Sequence, residues 1–261
     1  MRISLNTSKW YDNVWAALTF FTRLPLWRIY SPPRSSYAAV VEYWPLAGWI
    51  TGGLMALTMY LATLVFPYPI AILLAIATRI LLTGALHEDG LADFFDGFGG
   101  GNDRQRILDI MKDSHIGTFG VISLVIYLLL LASCLFSIQP ELAAVAIFAA
   151  DPYAKMISGQ FTTRMPYARS EATSKAKVVY RDMSVKSGIL LFIQGMLPSL
   201  PLFLLFGNIL RWDLLIFVPC IVCYFIYLFI MKKLHGYTGD CCGAMFLLTE
   251  LSYYLMIVYM C

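Results

Sequence analysis

The sequence predicts an all-α, polytopic integral membrane protein that folds as a helical bundle. Of its 261 residues, 59% are apolar and only 13% are charged, and its mean hydropathy is +0.70. Apolar runs of about 20 residues, the length that crosses a bilayer, recur along the chain. This composition excludes an ordinary soluble domain. Because little sequence lies outside the apolar runs, we expect residues 1–261 to form a single membrane-embedded domain.

Seven apolar runs predict about seven transmembrane helices. They cover residues 38–66, 70–86, 119–138, 141–160, 187–206, 213–231 and 243–261. Ahead of them, residues 14–27 form a segment that is too short to cross a bilayer and is rich in aromatic side chains. This segment predicts an N-terminal interfacial or re-entrant helix that ends at Pro25. An eighth, tilted span is the alternative.

The connections between the runs fall into two groups of different charge. Three are short and together carry one basic residue, Arg211: the turn at Tyr68, residues 139–141 and residues 207–212. The others are long and basic, and cover residues 2–34, 88–118, 164–186 and 232–235. The positive-inside rule places the long group in the cytoplasm. We therefore expect an inner-membrane protein whose acidic segment faces the cytoplasm and whose basic loops contact membrane lipid.

Acidic residues are concentrated in one short stretch between the second and third runs. Within 26 positions the chain carries Glu88, Asp89, Asp93, Asp96, Asp103, Asp109 and Asp113. If the second apolar run continues as a helix beyond Leu86, Asp89, Asp93 and Asp96 share one face of it. We expect the glycines at 97 and 99–101 to break that helix, and Asn102 or Asp103 to cap a second one. Three residues would share a face of the second helix: Arg106, Asp109 and Asp113.

This crowding of carboxylates predicts a divalent metal site. Like charges at neighbouring helical positions beside a low-dielectric membrane repel one another unless a cation lies between them. Oxygen ligands suit Mg²⁺, which commonly completes its shell with substrate phosphates. Two alternatives remain open: an amphipathic hairpin whose acids face water, and a zinc site at His87 or His115. No second histidine or cysteine lies at ligand spacing beside either histidine.

Two sequence patterns resemble those of known membrane enzymes. Asp93-x-x-Asp96-Gly97 followed by Asp109-x-x-x-Asp113 is similar to the second half of the CDP-alcohol phosphotransferase signature, although the alanine–arginine pair expected after the glycine is absent. A closer resemblance, covering most of the chain, is to the cobalamin synthase (adenosylcobinamide-GDP ribazoletransferase) family. Its blocks are FTRLP at 21–25, PLAG at 45–48, TGALHEDGLAD at 83–93 with Asp96-Gly97, KDSHIGTFG at 112–120, and YTGDCCGA at 237–244 with Glu250.

The resemblance implies a Mg²⁺-dependent transferase that joins the two halves of the cobalamin nucleotide loop. A ribose hydroxyl of α-ribazole, or of α-ribazole 5′-phosphate, would attack the cobinamide-bearing phosphorus of adenosylcobinamide-GDP, and GMP would leave. The implied metal ligands are Asp89, Asp93, Asp96 and Asp113. The implied catalytic residues are Glu88, Asp89 and Asp93, with Glu88 or another carboxylate outside the metal shell accepting the hydroxyl proton. The implied substrate-binding residues are Arg23, Lys112, His115 and Asp240.

Several of these residues keep a second interpretation. Asp240 is either a helix cap or a site residue, and Arg23 is either a phosphate clamp or an interfacial anchor. Lys175, Lys177 and Arg181 would contact lipid headgroups or, alternatively, the GDP phosphates. His115 and Phe94 depart from the family pattern, in which arginine and a small polar residue are commoner at these positions.

Two other function classes remain open on the sequence. A CDP-alcohol-phosphotransferase-like phospholipid synthase would carry the full acidic signature, which is broken here. An ion-coupled transporter would carry inverted repeats, and the sequence shows none. A transporter would also carry charges near the middle of the membrane. This chain has two charged residues inside its fourth apolar run, Asp151 and Lys155. We expect this pair to face the bundle interior. We expect no nucleic-acid partner, and a homo-oligomer is compatible with the sequence.

Overall fold

The computed structural model describes residues 9–169 and 179–261. Within these ranges the α-helices are α1 Trp10–Phe21, α2 Trp44–Thr63, α3 Tyr68–Thr83, α4 Leu86–Gly100, α5 Arg104–Lys112, α6 Thr118–Phe136, α7 Pro140–Thr162, α8 Val185–Met196, α9 Leu200–Phe206, α10 Trp212–Leu234 and α11 Gly239–Met260. Short 3₁₀ helices cover Leu26–Arg28, Arg34–Tyr43 and Leu197–Ser199. The same ranges contain one isolated β-bridge, between Tyr167 and Tyr237, and no strand. The all-α prediction is confirmed.

The structure does not confirm the predicted number of seven membrane-spanning helices. Within the described residues, five helical stretches are long and apolar enough to cross a bilayer: Arg34–Thr63, Thr118–Phe136, Val185–Phe206, Trp212–Leu234 and Gly239–Met260. The bent pair α3–α4 forms a sixth if it counts as one span. Helix α7 has 23 residues but is not among them. The polytopic membrane bundle is therefore confirmed, and the count of seven is not.

The bundle is closely packed where helices α2 and α7 cross. Gly48 and Gly52 of α2 lie against Asp151 and Pro152 of α7, and a Cβ added at Gly48 would lie 2.6 Å from Asp151 Oδ1. Small residues allow membrane helices to approach this closely. The outward faces of the long helices carry large apolar side chains such as Leu129, Phe217 and Phe225. Apolar residues therefore cover the outside of the bundle as well as its core.

Charged side chains lie inside the bundle, as predicted for Asp151 and Lys155. Both are fully buried and form an ion pair one helical turn apart, and the Lys155 ammonium also donates to Thr51 Oγ1 at 2.8 Å. A second buried ion pair joins Arg79 of α3 to Glu250 of α11 at 2.5 Å. Buried charges in a membrane protein require such partners, because an isolated charge in a low-dielectric interior is costly.

The N-terminal helix begins and ends four residues earlier than predicted. Helix α1 ends at Phe21, four residues before Pro25, because Thr22 adopts an extended backbone (φ −132°, ψ 156°). The Thr22 hydroxyl donates to the Leu18 carbonyl at 2.7 Å, which gives this carbonyl of the last helical turn a hydrogen-bond partner. Twelve residues rise about 18 Å, which is too short for a bilayer core of about 30 Å. The prediction that Pro25 ends this helix was wrong, whereas the prediction of a non-spanning segment agrees with its length.

The second apolar run does not continue as one helix into the acidic segment; Asp89, Asp93 and Asp96 share a separate helix, α4. Helices α3 and α4 meet at 88°, because Gly84 (φ 65°) and Ala85 (φ 57°) both adopt the left-handed conformation. Helix α4 then continues through glycines 97, 99 and 100, which were expected to break it, and ends at Gly101, where the backbone becomes extended. The predicted cap of the next helix is confirmed, since Asp103 accepts the Arg106 amide at 2.9 Å.

The two groups of connections lie at opposite ends of the bundle. Among the long connections, the Arg104 guanidinium donates to the carbonyls of Leu234 and Ala168 at 2.8 and 2.6 Å. Among the short ones, the Tyr68 hydroxyl donates to the Ile138 carbonyl at 2.8 Å. Helices α6 and α10 each lead from one group to the other. The grouping inferred from charge therefore corresponds to two physical ends.

Candidate active site

An aromatic cavity lies where the start of α4 meets the start of α11. Its volume is about 140 Å³. Six aromatic rings line it: Phe20, Phe21, Trp44, Tyr167, Tyr180 and Tyr237. We call this site the aromatic cavity. It is built from the end of α1, the start of α2, the beginnings of α4 and α11, and the loop residues on either side of the undescribed segment 170–178.

Two stacked ring pairs shape this cavity. Phe21 stacks on Trp44 with centroids 5.1 Å apart and planes 15° apart. Tyr180 stacks on Tyr237 with centroids 5.5 Å apart and planes 7° apart, and its backbone amide donates to the Tyr237 hydroxyl at 3.0 Å. Burial raises the pKa of the Tyr237 and Tyr180 phenols. Both hydroxyls therefore stay neutral at physiological pH.

Asp89 and Asp240, which are 151 positions apart in sequence, both contribute to the aromatic cavity. They meet because α4 and α11 approach closely at two glycines: a Cβ at Gly90 would lie 3.1 Å from the Asp240 carbonyl oxygen, and one at Gly243 would lie 3.0 Å from the His87 carbonyl oxygen. Neither helix could carry a larger residue at this crossing without moving away.

Asp240 is not the cap of α11. Thr238 is the cap, and its hydroxyl accepts the Cys241 amide at 3.3 Å. Asp240 lies in the first turn, where a helix N-terminus favours a carboxylate, and it is 8% exposed. Arg169 Nη2 lies 4.0 Å from Asp240 Oδ2 and donates to the Leu108 carbonyl at 3.0 Å. Of the two interpretations left open for Asp240, the helix cap is excluded, and the site role stays a prediction.

The three aspartates of α4 have different surroundings along the helix. Asp89 is exposed at the aromatic cavity, Asp93 is half-buried, and Asp96 is buried. Seven residues of helix separate Asp89 from Asp96, a rise of about 10 Å. Both Asp96 oxygens accept backbone amides at the start of α6, from Gly117 at 2.7 Å and from Gly120 at 2.8 Å. Asp96 therefore fixes α6 onto α4.

A second concave region, the acidic hollow, lies beside Asp96. It has a volume of about 520 Å³, and its charged or titratable lining residues are Asp96, Arg106, Asp109, Asp113 and His115. The backbone amide and the ring Nδ1 of His115 lie 3.0 and 2.7 Å from Asp113 Oδ1. These contacts lower the pKa of the Asp113 carboxyl group, so it is ionised at neutral pH. The predicted site residues Asp96, Asp113 and His115 are brought together here.

Lys112 and Arg169 belong to a third region, which we call the basic hollow. Its charged lining residues are Arg104, Asp109, Lys112 and Arg169. Arg169 also lines the aromatic cavity, and Asp109 also lines the acidic hollow. The three regions are therefore contiguous, and Arg169 and Asp109, which were not among the predicted site residues, connect them.

Arg23 lies at the junction of α3 and α4. Its backbone amide donates to the Leu82 carbonyl at 2.6 Å, and its side chain crosses Gly84, where an added Cβ would lie 2.7 Å from Arg23 Cγ. The side chain is exposed. Arg23 therefore covers the turn that leads into the acidic helix.

Glu88 points away from the aromatic cavity and into the bundle. It is 5% exposed, and its Oε1 lies 3.6 Å from Arg79 Nη2. Arg79 also donates to the Tyr127 hydroxyl at 2.6 Å. Adjacent helical residues point about 100° apart, so Asp89 reaches the cavity while Glu88 does not contribute to its lining.

The predicted contacts of the long basic loop are described only in part. Lys175 and Lys177 lie outside the described residues. Arg181 donates to both carboxylate oxygens of Glu42, at 2.5 and 2.8 Å, and its amide donates to the Ala38 carbonyl at 2.9 Å. In this structure Arg181 ties the end of the loop to the segment that precedes α2.

Comparison with known proteins identifies the family of the chain. Residues 13–258 match the family model described as cobalamin-5-phosphate synthase. The chain belongs to the cobalamin-5-phosphate synthase family. Its relatives include proteins named adenosylcobinamide-GDP ribazoletransferase: one from Vibrio parahaemolyticus, 36% identical over 93% of this chain and 90% of the relative, and one from Shewanella frigidimarina, 35% identical over 93% and 92%. A relative of the same name from Leptospira interrogans is 34% identical over 92% of each chain. No solved structure matches the chain.

Membership of the cobalamin-5-phosphate synthase family confirms the resemblance seen in the sequence. It makes the protein a transferase of cobalamin nucleotide-loop assembly, and it favours neither a phospholipid synthase nor an ion-coupled transporter. The family blocks also have a structural meaning. Residues 83–93 form the α3–α4 junction and the first half of α4. Residues 112–120 include the two backbone amides that donate to Asp96. Residues 237–244 lead into α11 and form its first turns.

The carboxylates can hold Mg²⁺ only if oxygen atoms of the substrate complete the coordination shell of the ion. Among residues 9–169 and 179–261, no three His, Cys, Asp or Glu side chains are placed to hold a metal ion by themselves. Carboxylate oxygens are nevertheless the ligands that Mg²⁺ prefers, and it is commonly bound by one or two of them together with substrate phosphates and water. The donor chemistry of the acidic hollow therefore fits a Mg²⁺ ion that a diphosphate helps to hold. The metal site stays a prediction.

Sequence reasoning missed two sets of residues that the structure brings to the site. Tyr167, Tyr180 and Tyr237 build one wall of the aromatic cavity, but they occupy loops without periodicity. Arg79 supports Glu88 from inside the bundle. Arg79 had a detectable signal, because it is the only charged residue in the apolar run 70–86, and an intramembrane charge implies a partner.

Proposed function

We propose that this enzyme transfers the cobinamide-phosphate group of adenosylcobinamide-GDP to a ribose hydroxyl of α-ribazole or of α-ribazole 5′-phosphate, with release of GMP. The relatives carry this activity in their names. The observation that supports it in this chain is one continuous surface that joins an aromatic cavity, an acidic hollow and a basic hollow. Such a surface offers places for a planar base, for a diphosphate with its cation, and for further phosphate.

The reaction exchanges one bond to phosphorus for another. The ribose oxygen bonds to the phosphorus that carries the cobinamide, the bond from this phosphorus to the GMP oxygen breaks, and the hydroxyl proton passes to a carboxylate. Asp89 is our candidate for the proton acceptor, because it is exposed at the cavity. A positioned general base of this kind contributes about 10²- to 10⁴-fold to the rate. Glu88 is buried against Arg79 and is better placed to position α4.

The acidic hollow would receive the diphosphate. Asp109 and Asp113 line this hollow and would hold Mg²⁺ there, whereas both oxygens of Asp96 anchor α6. Asp93 does not line the hollow, and its role as a ligand stays a prediction. Bound Mg²⁺ supplies positive charge that stabilises the transition state and the departing GMP oxygen. Arg106 in this hollow, and Lys112 and Arg169 in the basic hollow, add fixed positive charge beside the phosphates.

The active site would face the cytoplasm. All three regions lie at the end of the bundle that carries the long basic connections, and the positive-inside rule assigns that end to the cytoplasm. A corrinoid carrying GDP is large and charged, and a cytoplasmic site could take it without moving it across the membrane. The same argument supports placement in the inner membrane and contact of the basic loops with lipid headgroups.

An assay of GMP release with the purified full chain tests this function. With adenosylcobinamide-GDP, α-ribazole 5′-phosphate and Mg²⁺, we expect GMP and the cobalamin product in a one-to-one ratio, and EDTA should abolish both. Without the acceptor, GMP release should nearly stop, because we expect the bound corrinoid to cover the site and exclude water, which leaves a bound hydroxyl as the effective nucleophile. Rapid GMP release without acceptor would instead indicate a diphosphate hydrolase. Turnover of a CDP-alcohol without corrinoid would indicate a phospholipid synthase.

A further inference from the structure

We infer that the aromatic cavity binds the planar heteroaromatic base of the nucleoside acceptor, and that the guanine of the donor binds elsewhere. This inference rests on the proposed function. A stacked base could come from either substrate, since both carry a nucleoside. Three features of the cavity favour the acceptor: its ring walls, its few polar groups, and the position of its carboxylates.

The ring walls provide flat surfaces that a base can stack on. Phe21 and Trp44 present one stacked pair, and Tyr180 and Tyr237 present another. Phe21, Trp44 and Tyr237 are each at most 4% exposed, so their orientations are fixed by packing. Tyr180 is held by its amide hydrogen bond to the Tyr237 hydroxyl. Rigid aromatic faces bind planar bases without a large cost in conformational entropy.

Among the described residues, the surface that lines the cavity is mainly apolar, which suits the polar edge of guanine poorly. Guanine presents two donor groups and three acceptor atoms that need partners, and unpaired buried polar groups are costly. The charged lining residues here are Asp89, Arg169 and Asp240, and the last two lie within ion-pair distance of each other. His87, 3% exposed, also lines the cavity, and its Nε2 has no hydrogen-bond partner. A benzimidazole-type base, with apolar edges and one ring-nitrogen acceptor, suits this lining.

The carboxylates then lie where the acceptor's ribose would be. With the base against the rings, the sugar lies toward Asp89 and Asp240, and a phosphate on its 5′ carbon can reach the basic hollow, which shares Arg169 with the cavity. Asp89 is then beside the hydroxyl that reacts. Guanine in the same cavity would instead direct its negatively charged diphosphate toward the two carboxylates.

Equilibrium binding to the full-length protein in detergent tests this assignment without turnover. The two probes are α-ribazole and GMP, each measured by equilibrium dialysis. Tyr180→Ala removes one stacking surface and should weaken α-ribazole binding by about 5- to 100-fold, while GMP binding stays unchanged. Tyr224→Ala is the matched control, because Tyr224 stacks on Tyr227 in α10 and does not line the cavity; both affinities should stay at the wild-type value.

A second variant fills the cavity instead of opening it. Gly239 lines the cavity, and a Cβ added there meets no atom within 4 Å, so Gly239→Leu should fold normally. It should raise the KM for the acceptor at least as much as Tyr180→Ala does and leave the KM for the donor unchanged.

Weaker GMP binding with unchanged α-ribazole binding in both variants would assign the cavity to guanosine and overturn the inference. Unchanged binding of both probes would also overturn it. A wild-type protein that binds α-ribazole in this way but transfers nothing would refute the proposed function and leave the inference standing.

Discussion

At the scale of single residues, Asp89 and Asp96 show how one face of a helix can serve two purposes. The side chain of Asp89 is exposed at the aromatic cavity, whereas Asp96 is 7% exposed and accepts two backbone amides of the α6 N-terminus. Charge-assisted hydrogen bonds of this kind are about twice as strong as neutral ones. We therefore attribute a chemical role to the first residue and a largely structural one to the second.

Substituting each of these aspartates by asparagine should separate the two roles. Asp89→Asn removes a proton acceptor and should lower kcat by about 10²- to 10⁴-fold without changing the melting temperature. Asp96→Asn keeps only one carboxyl-type oxygen for two amides, so it should destabilise the fold by about 1–3 kcal/mol. Turnover assays and thermal unfolding of the detergent-solubilised protein measure the two effects.

Asp103→Asn is the control for both substitutions, because asparagine caps a helix as well as aspartate does. It should alter neither activity nor melting temperature, although it removes the same charge from the same segment. If Asp96→Asn abolished activity at an unchanged melting temperature, Asp96 would be a metal or substrate ligand and not a structural anchor.

At the scale of helices, the break between α3 and α4 determines where the acidic face points. Gly84 adopts φ 65°, and Arg23 covers the position where a Cβ would stand. Had α3 continued straight, as the run of apolar residues suggested, Asp89 would extend the α3 axis and could not reach α11. The turn instead brings Gly90 against the backbone of Asp240, with its Cβ position 3.1 Å from the carbonyl oxygen.

Gly84→Ala should therefore disturb both the fold and the site. A non-glycine residue in the left-handed region costs about 1–2 kcal/mol, and the new methyl group would displace Arg23. We expect a lower melting temperature together with reduced turnover. Gly53→Ala is the matched control, because its Cβ would make an ordinary 3.7 Å contact with the Phe148 ring, and its melting temperature should stay equal to or above that of the wild type. Equal melting temperatures for the two variants would show that the turn is not strained by a side chain.

Local patterns in the sequence predicted what depends on neighbours along the chain, and missed what depends on long-range contact. The shared face of Asp89, Asp93 and Asp96 follows from helical spacing, and Asp103 as a cap follows from its chemistry. The aromatic cavity has no such signal, because its rings come from separate elements that meet only after α4 and α11 have packed. The predicted glycine break came at the end of the glycine run, at Gly101, and not at Gly97, which packs against Met111 within α4.

At the scale of the whole molecule, buried ion pairs lie behind the active-site end of the bundle. Arg79 joins α3 to α11 through Glu250, at 2.5 Å, and approaches Glu88 of α4. Lys155 and Asp151 of α7 contact Thr51 of α2. Separating any of these charged pairs is costly in a low-dielectric interior. The ion pairs therefore fix the positions of the helices that carry the site relative to one another. The site is therefore a rigid surface on the end of the bundle that bears the long connections.

The membrane orientation of that end is the remaining prediction, and two single cysteines test it. Asn102 and Gln139 are both exposed and belong to opposite groups of connections. In a background in which the exposed Cys261 is replaced by serine, Asn102→Cys should react with an impermeant maleimide only in inverted vesicles, and Gln139→Cys only in intact cells. We expect this labelling pattern because basic residues surround position 102, and positively charged connections stay on the cytoplasmic side. The opposite pattern would place the acidic hollow outside the cell, away from cytosolic nucleotide-linked substrate, and would contradict the proposed orientation while leaving the assignment of the residues unchanged.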